Sequence, residues 1–351
     1  MRSRRSSSPH AFVYRAGIGL AGTQITCDAA GFPSDLIFLS HAQVLGQRGP
    51  AQLAGAKAKG RRLMTTETTL RLLGADRSLR SRTLPAAFGQ PFNLGGQRIE
   101  IVPSGYWPGA AALLCETSHR RVYYLGACAP EVIVPGLGPA EPRRADAVCL
   151  DARAGDPRLV LPSRRQTLAD IRAFARRALD EGRTPVLLIS AASVLPSVAS
   201  DLRREGLILR AHPRLGRALA ELHDVCAAIP VVAPAGRRLR MGEVWLWPAD
   251  RPGSGPKWAA LRPGHATRVA LVMDPALEAL KGEIPARASL DEIFTLTLLP
   301  GHQEILSLLE DCGAQEVALL HASSDELLAD LRGRGFAAYS LGPPRQMTLG
   351  G

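Results

Sequence analysis

The sequence predicts an α/β protein, and three features carry that prediction. Short apolar runs of strand length recur along the chain and tend to end on an ionisable residue. Amphipathic helical patterns lie between them. One central stretch alternates strand and helix in a βαβ rhythm, which implies a parallel sheet of its own.

Taken in order, Leu36-Ile37-Phe38-Leu39 runs into Ser40-His41, and Val122-Tyr123-Tyr124-Leu125 runs into Gly126-Ala127. Ala147-Val148-Cys149-Leu150 runs into Asp151, and Val317-Ala318-Leu319-Leu320 runs into His321. Strands of one sheet that deliver polar side chains to a common edge have this layout, and open α/β sheets place their sites at such edges. Helices are expected over residues 65–73, 166–181, 194–205, 305–312 and 325–332, with Gly182, Gly206, Gly313 and Gly333 as their stops. Strands are expected over residues 186–189 and 207–209, and the proline- and glycine-dense residues 248–264 read as an exposed loop. Gly17-Ile18-Gly19-Leu20-Ala21-Gly22 matches the dinucleotide fingerprint, but Thr23-Gln24-Ile25-Thr26-Cys27 alternates like a strand where that fingerprint needs a helix, so a glycine-rich hairpin is expected. Gly253-Ser254-Gly255-Pro256-Lys257-Trp258 lacks the ending of a P-loop.

The 351 residues are 46% hydrophobic and 21% charged, as in a globular protein, and no stretch is long and apolar enough to span a membrane. The net charge of +11 is almost all arginine, since Lys57, Lys59, Lys257 and Lys281 are the only lysines. With Asn93 as the single asparagine, codon bias and a surface that faces a polyanion are both open explanations. The six cysteines form no CxxC pair and several lie in apolar runs, which fits buried thiols and a reducing cytoplasm. Residues 1–10 are basic and serine-rich with no apolar signal region, and residues 1–12 read as a tail.

Phe38-Leu39-Ser40-His41-Ala42-Gln43-Val44-Leu45-Gly46 resembles, in register, the Ser-His-x-His-x-Asp-His strand end of the metallo-β-lactamase superfamily. Most of residues 13–349 resembles its β-CASP nucleases, which include mRNA 3′-end-processing endonucleases and bacterial exonucleases associated with DNA ligases and helicases. Further segments match in order: Leu94-Gly95-Gly96 through Val102-Pro103-Ser104-Gly105-Tyr106, Gly109-Ala110-Ala111, and Arg121 through Ala127. Ala145 through Ala152, Glu181 through Leu188, Leu299-Pro300-Gly301-His302, Leu319-Leu320-His321-Ala322 and Pro344 through Leu349 follow.

The departures bear directly on function. Of the four-ligand motif only His41 is present, because Gln43, Leu45 and Gly46 stand at the other ligand positions. Tyr106 stands where the family has its next histidine, and Ala127 where it has the aspartate that bridges two metals. His41, Asp151, His302 and His321 remain. The resemblance implies a general acid or proton partner at Asp151, a transition-state partner at His302, and one metal ligand each at His41 and His321. A catalytic zinc takes about three protein ligands plus a water, and without one the water keeps a pKa near ~16. Ordinary two-metal hydrolysis is therefore expected to be absent, and these four residues to be vestigial. A hydrogen bond at the sheet edge would also account for each of them. His119 and His212 are expected at the surface, His223 on a helix and His265 in a loop.

The resemblance implies an αββα sandwich with a compact α/β insertion: a tail over residues 1–12, a first half over 13–162, the insertion over 163–270 and a second half over 271–351. It implies a catalytically degenerate nuclease-like protein that binds nucleic acid or docks on an active nuclease, DNA ligase or helicase in DNA repair or RNA processing. No cofactor is expected. The alternative is a hydrolase or exonuclease with one zinc in a rearranged site of His41, Asp151, His302 and His321. Neither reading involves a membrane, and both fit the cytoplasm.

Overall fold

The computed structural model describes residues 10–14, 17–29, 34–44, 60–236, 241–249, 266–278, 290–322 and 324–342. The chain forms two compact units. One comprises Met1–Pro130, Gly138–Pro157 and Leu299–Gly351; the other comprises Glu131–Leu137 and Arg158–Leu298.

The first unit opens with β1 (Phe12–Tyr14), β2 (Ile18–Leu20), β3 (Ile25–Cys27), β4 (Leu36–Phe38) and β5 (Arg62–Thr65). Next come α1 (Glu67–Leu72), α2 (Arg77–Ser81) and β6 (Thr83–Pro85), which completes a sheet of order β1-β2-β3-β4-β5-β6. Then follow β7 (Phe92–Leu94), β8 (Gln97–Pro103), β9 (Ala111–Glu116), β10 (Arg121–Gly126) and β11 (Ala147–Asp151).

The second unit contributes α3 (Arg164–Asp180), β12 (Thr184–Ile189), α4 (Leu195–Arg204), β13 (Ile208–Ala211), α5 (Pro213–His223), β14 (Ala233–Pro234), β15 (Glu243–Pro248), β16 (Thr267–Met273), α6 (Pro275–Glu278) and β17 (Glu292–Thr295). The chain returns to the first unit with α7 (His302–Cys312), β18 (Glu316–Leu320), α8 (Asp325–Gly333) and β19 (Ala337–Leu341). These last strands complete a second sheet of order β19-β18-β11-β10-β9-β8-β7. The second unit's own sheet, β14-β13-β15-β12-β16-β17, is parallel at every pairing.

Side-chain alternation explains why the strands near the site read as unbroken apolar runs. Leu36 and Phe38 of β4, Val122 and Tyr124 of β10, Cys149 of β11 and Leu320 of β18 share one core between the two sheets of the first unit. Their neighbours point the other way. Ile37 and Leu63 pack with Leu73 and Leu79 beneath α1 and α2, while Tyr123, Val148 and Val317 pack with Ile305, Leu309 and Leu328 beneath α7 and α8. Strands buried on both faces leave no position for a polar alternate, so the first polar residue falls where the strand leaves the core.

Several boundaries differ from the sequence reading. The second unit runs to Leu298, not to residue 270, because β16 pairs with β12 and β17 pairs with β16. Its main segment starts at Arg158. Ala11 and Phe12 are buried and belong to the core and not to a tail; the Ala11 amide donates to Glu316 at 2.6 Å. Gly17–Gly22 surrounds β2, which pairs antiparallel with β3 as a hairpin should. His212 is no free surface residue: its ring packs edge-on against Trp247 at 4.8 Å and its Nδ1 accepts the Arg214 amide at the start of α5. His265, the Gly253–Trp258 stretch and the expected closing strand at Pro344–Leu349 lie outside the described residues. Among the described residues, no helix is long and apolar enough to cross a membrane.

Candidate functional site

Three of the strand ends in the first unit bring their polar residues together. The turn after β4 carries Ser40 and His41, β11 ends at Asp151, and β18 runs into His321. β11 and β18 are parallel neighbours with Asp151 opposite Leu320, so His321 emerges one residue beyond Asp151. The Ser40 carbonyl accepts the Ala111 amide at 2.8 Å, which ties the β4 turn to the second sheet.

One half of the site is a closed chain of hydrogen bonds. Asp28, just after β3, accepts from the Ser40 amide, the Ser40 hydroxyl and the Tyr124 hydroxyl, each at 2.7 Å. Three converging donors suit an ionised carboxylate, although burial outweighs them and raises its pKa above the usual range. Ser40 has a single hydroxyl proton, directed at Asp28, so its 2.8 Å contact with His41 Nδ1 is one in which the imidazole donates. That tautomer leaves the Nε2 lone pair of His41 without a proton. The ring is buried, which lowers its pKa to about 4 and keeps it neutral at ordinary pH; the charges of Asp151 and Arg153 act on it with opposite sign.

The other half is an ion cluster. Arg153 grips both oxygens of Asp151: Nε lies 3.0 Å from each, Nη2 lies 2.5 Å from Oδ2, and the Arg153 amide donates to Oδ1 at 3.2 Å. His321 Nδ1 sits 3.4 Å from Oδ2. Burial alone would raise the pKa of Asp151, but the bonds from His321 and Arg153 outweigh it and hold the carboxyl below its ordinary value.

The remaining positions are more scattered. Tyr106 is buried with its ring edge-on to His41 at 5.3 Å. Its loop is fixed at Gly109, whose carbonyl accepts from Thr66 and Thr69 and whose φ of +77° no other residue adopts freely. A Cβ there would lie 2.7 Å from the Thr68 Cβ. Ala127 is buried just past β10, and Gln43 is exposed in the turn after His41. Leu45 and Gly46 lie outside the described residues. His302 stands apart in its bonding: it opens α7, its Nε2 is 2.9 Å from Asp330 on α8, and Asp330 also accepts from Arg334.

His41 offers one nitrogen, and both oxygens of Asp151 accept from the Arg153 guanidinium. Among the described residues no group of three or more histidine, cysteine, aspartate or glutamate side chains is placed to hold a metal ion. Sequence reasoning missed Asp28, Ser40, Tyr124 and Arg153. The one signal for Arg153 was a basic residue two positions after an acidic strand end.

No family model matches the chain. The sequence is similar to a protein named probable DNA ligase from Opitutus terrae, with 25% identity over 337 residues. That match covers 92% of this chain and 30% of the relative, so the chain spans less than a third of the length of the curated protein it matches.

Proposed function

We propose that this chain is a retired relative of the metallo-β-lactamase and β-CASP nucleases, acting as a DNA-binding accessory unit in DNA repair. Its two-sheet unit with helices outside, and its separate parallel-sheet unit, suit that fold. The similarity to a probable DNA ligase over nearly the whole chain supports a link to DNA. One observation carries the loss of catalysis: Arg153 closes on both oxygens of Asp151, so a fixed organic cation stands beside the carboxylate instead of an exchangeable metal. Without a metal-polarised water no hydroxide forms cheaply at neutral pH, and phosphodiester cleavage has no nucleophile. What is kept is the buried support around His41, which holds the strand ends in place.

Elemental analysis of the purified chain, paired with nuclease assays on single- and double-stranded DNA and RNA, tests the reading. Expected are less than stoichiometric zinc and no cleavage, with DNA still bound. Stoichiometric metal with turnover would install the rearranged one-zinc hydrolase instead, and would require Arg153 to swing off Asp151. That alternative also asks His302 to join His41, Asp151 and His321, whereas its Nε2 is bonded to Asp330.

A further inference from the structure

On the helix-covered face of the second sheet, three neighbouring strands align three charges in one row. Arg98 of β8 stands opposite Glu116 of β9, and Glu116 stands opposite Arg121 of β10. Direct cross-strand partners point to the same face, and neighbouring strands lie about 4.8 Å apart. The row therefore reads positive, negative, positive over roughly 10 Å. One row further on, Leu114 and Tyr123 already belong to the core beneath α7 and α8, so the charges sit at the margin of that core.

Opposite charges in such a register ordinarily close into ion pairs. These stay open. Arg121 Nε lies 3.9 Å from Glu116 Oε2, is shut off from water and has no hydrogen-bond acceptor. Among the described residues, the side chains of Arg98 and Glu116 form no hydrogen bond. A pocket of about 200 Å³ takes the space, lined by Arg98, Glu100, Leu114, Glu116 and Arg121. Glu100 is already engaged by Arg143 at 3.0 Å, and Arg143 also meets Glu141 at 2.9 Å. Two guanidinium groups without an acceptor and one carboxylate without a donor thus surround one open space.

We infer that this pocket binds an acidic α-amino acid of the glutamate or aspartate kind. Such a molecule carries the inverse charge pattern: two carboxylates for Arg98 and Arg121, and one ammonium for Glu116. Carboxylate oxygens match the guanidinium fork, and bonds between ionised partners are the stronger kind. A simple anion would satisfy the arginines but press against Glu116, and a neutral amino acid would leave one guanidinium unmatched. The inference does not depend on the DNA-binding reading.

The test is isothermal titration calorimetry of the full chain at neutral pH and low salt. The probes are L-glutamate, L-aspartate, L-glutamine, glutarate and inorganic phosphate. One of the two acidic amino acids is expected to saturate a single site. L-Glutamine, which lacks the side-chain carboxylate, and glutarate, which lacks the ammonium, should each bind about 10-fold more weakly. Glu116→Gln should weaken the acidic amino acid by about the same factor while leaving glutarate unchanged or tighter, a reversal that mere loss of structure would not produce. Arg121→Gln should weaken both, and Arg203→Gln in the second unit should weaken neither. No saturable binding of either acidic amino acid would overturn the inference. So would phosphate binding as tightly as they do, which would make the pocket a general anion site, or Glu116→Gln binding them as tightly as the natural chain.

Discussion

The two halves of the candidate site differ in how they treat charge. Around Asp28, every donor is buried and paired: two hydroxyls and an amide converge on one carboxylate, and the imidazole beyond them is held neutral. Around Asp151, a guanidinium and a 59% exposed imidazole meet one carboxylate. The first half is a rigid frame that positions a side chain; the second is a charge that needs a counter-charge wherever it can get one. In a metal site the frame and the ion are made for each other. Here the frame holds a neutral imidazole, and Arg153, two residues beyond Asp151, supplies the positive charge beside that carboxylate.

The largest expected effect comes from breaking the frame. Asp28→Ala leaves the Ser40 amide, the Ser40 hydroxyl and the Tyr124 hydroxyl without their acceptor inside the core. It also places alanine at a φ of +56°, a left-handed backbone that a Cβ disfavours. Together these should cost about 3–5 kcal/mol, read from the shift in a urea unfolding midpoint. A loss below about 1 kcal/mol would mean that water enters this half as freely as the other.

A slightly smaller effect separates the halves by pH. His41 has a pKa of about 4 in the folded chain against 6.5 when exposed, so the unfolded state takes up the proton first. Its contribution to stability is present above about pH 6.5 and is lost as pH falls toward 4, a loss on the order of 3 kcal/mol. Asp28, with its raised pKa, works in the opposite direction, adding stability as acid protonates it in the folded state. Asp151 adds a further loss only below the ordinary carboxylate range, since its pKa is lowered. Measuring unfolding free energy from pH 8 to 4 for the natural chain and for His41→Gln isolates the first term. The difference between them should narrow as pH falls through that window, and parallel curves would show that His41 is already hydrated.

How far the sequence disclosed this arrangement depends on what each residue's signal was. Strands buried on both faces announce themselves as apolar runs, and the polar residue that ends each run marks the sheet edge; His41, Asp151 and His321 were legible for that reason. Asp28 was not, because Thr23, Gln24 and Thr26 interrupt the residues before it, so no apolar run ends on it. Arg153 was hidden by its abundance: in a chain so rich in arginine, a basic residue two positions after an acidic strand end does not stand out as one that folds back on its neighbour. His302 carried a motif-like setting, yet its partner Asp330 lies 28 residues away on another helix, a pairing no local pattern encodes. The boundary after residue 270 misled because β17 is separated from β16 by more than a loop's length, and only strand pairing assigns it to the second unit.

The smallest effect probes the ion half directly. His321 adopts a φ of +52°, where glycine avoids the crowding that a Cβ meets, and its ring lies 3.4 Å from Asp151 with most of its surface in water. Replacing it by glycine removes a contact whose histidine side is mostly in water, worth about 0–1 kcal/mol, while relieving backbone strain of similar size. His321→Gly should therefore change the unfolding free energy by less than about 0.5 kcal/mol, because Arg153 alone still meets both oxygens of Asp151. A cost above about 1.5 kcal/mol would show that Arg153 does not suffice. The carboxylate would then depend on both neighbours as tightly as Asp28 depends on its three donors, and the contrast between the two halves would vanish.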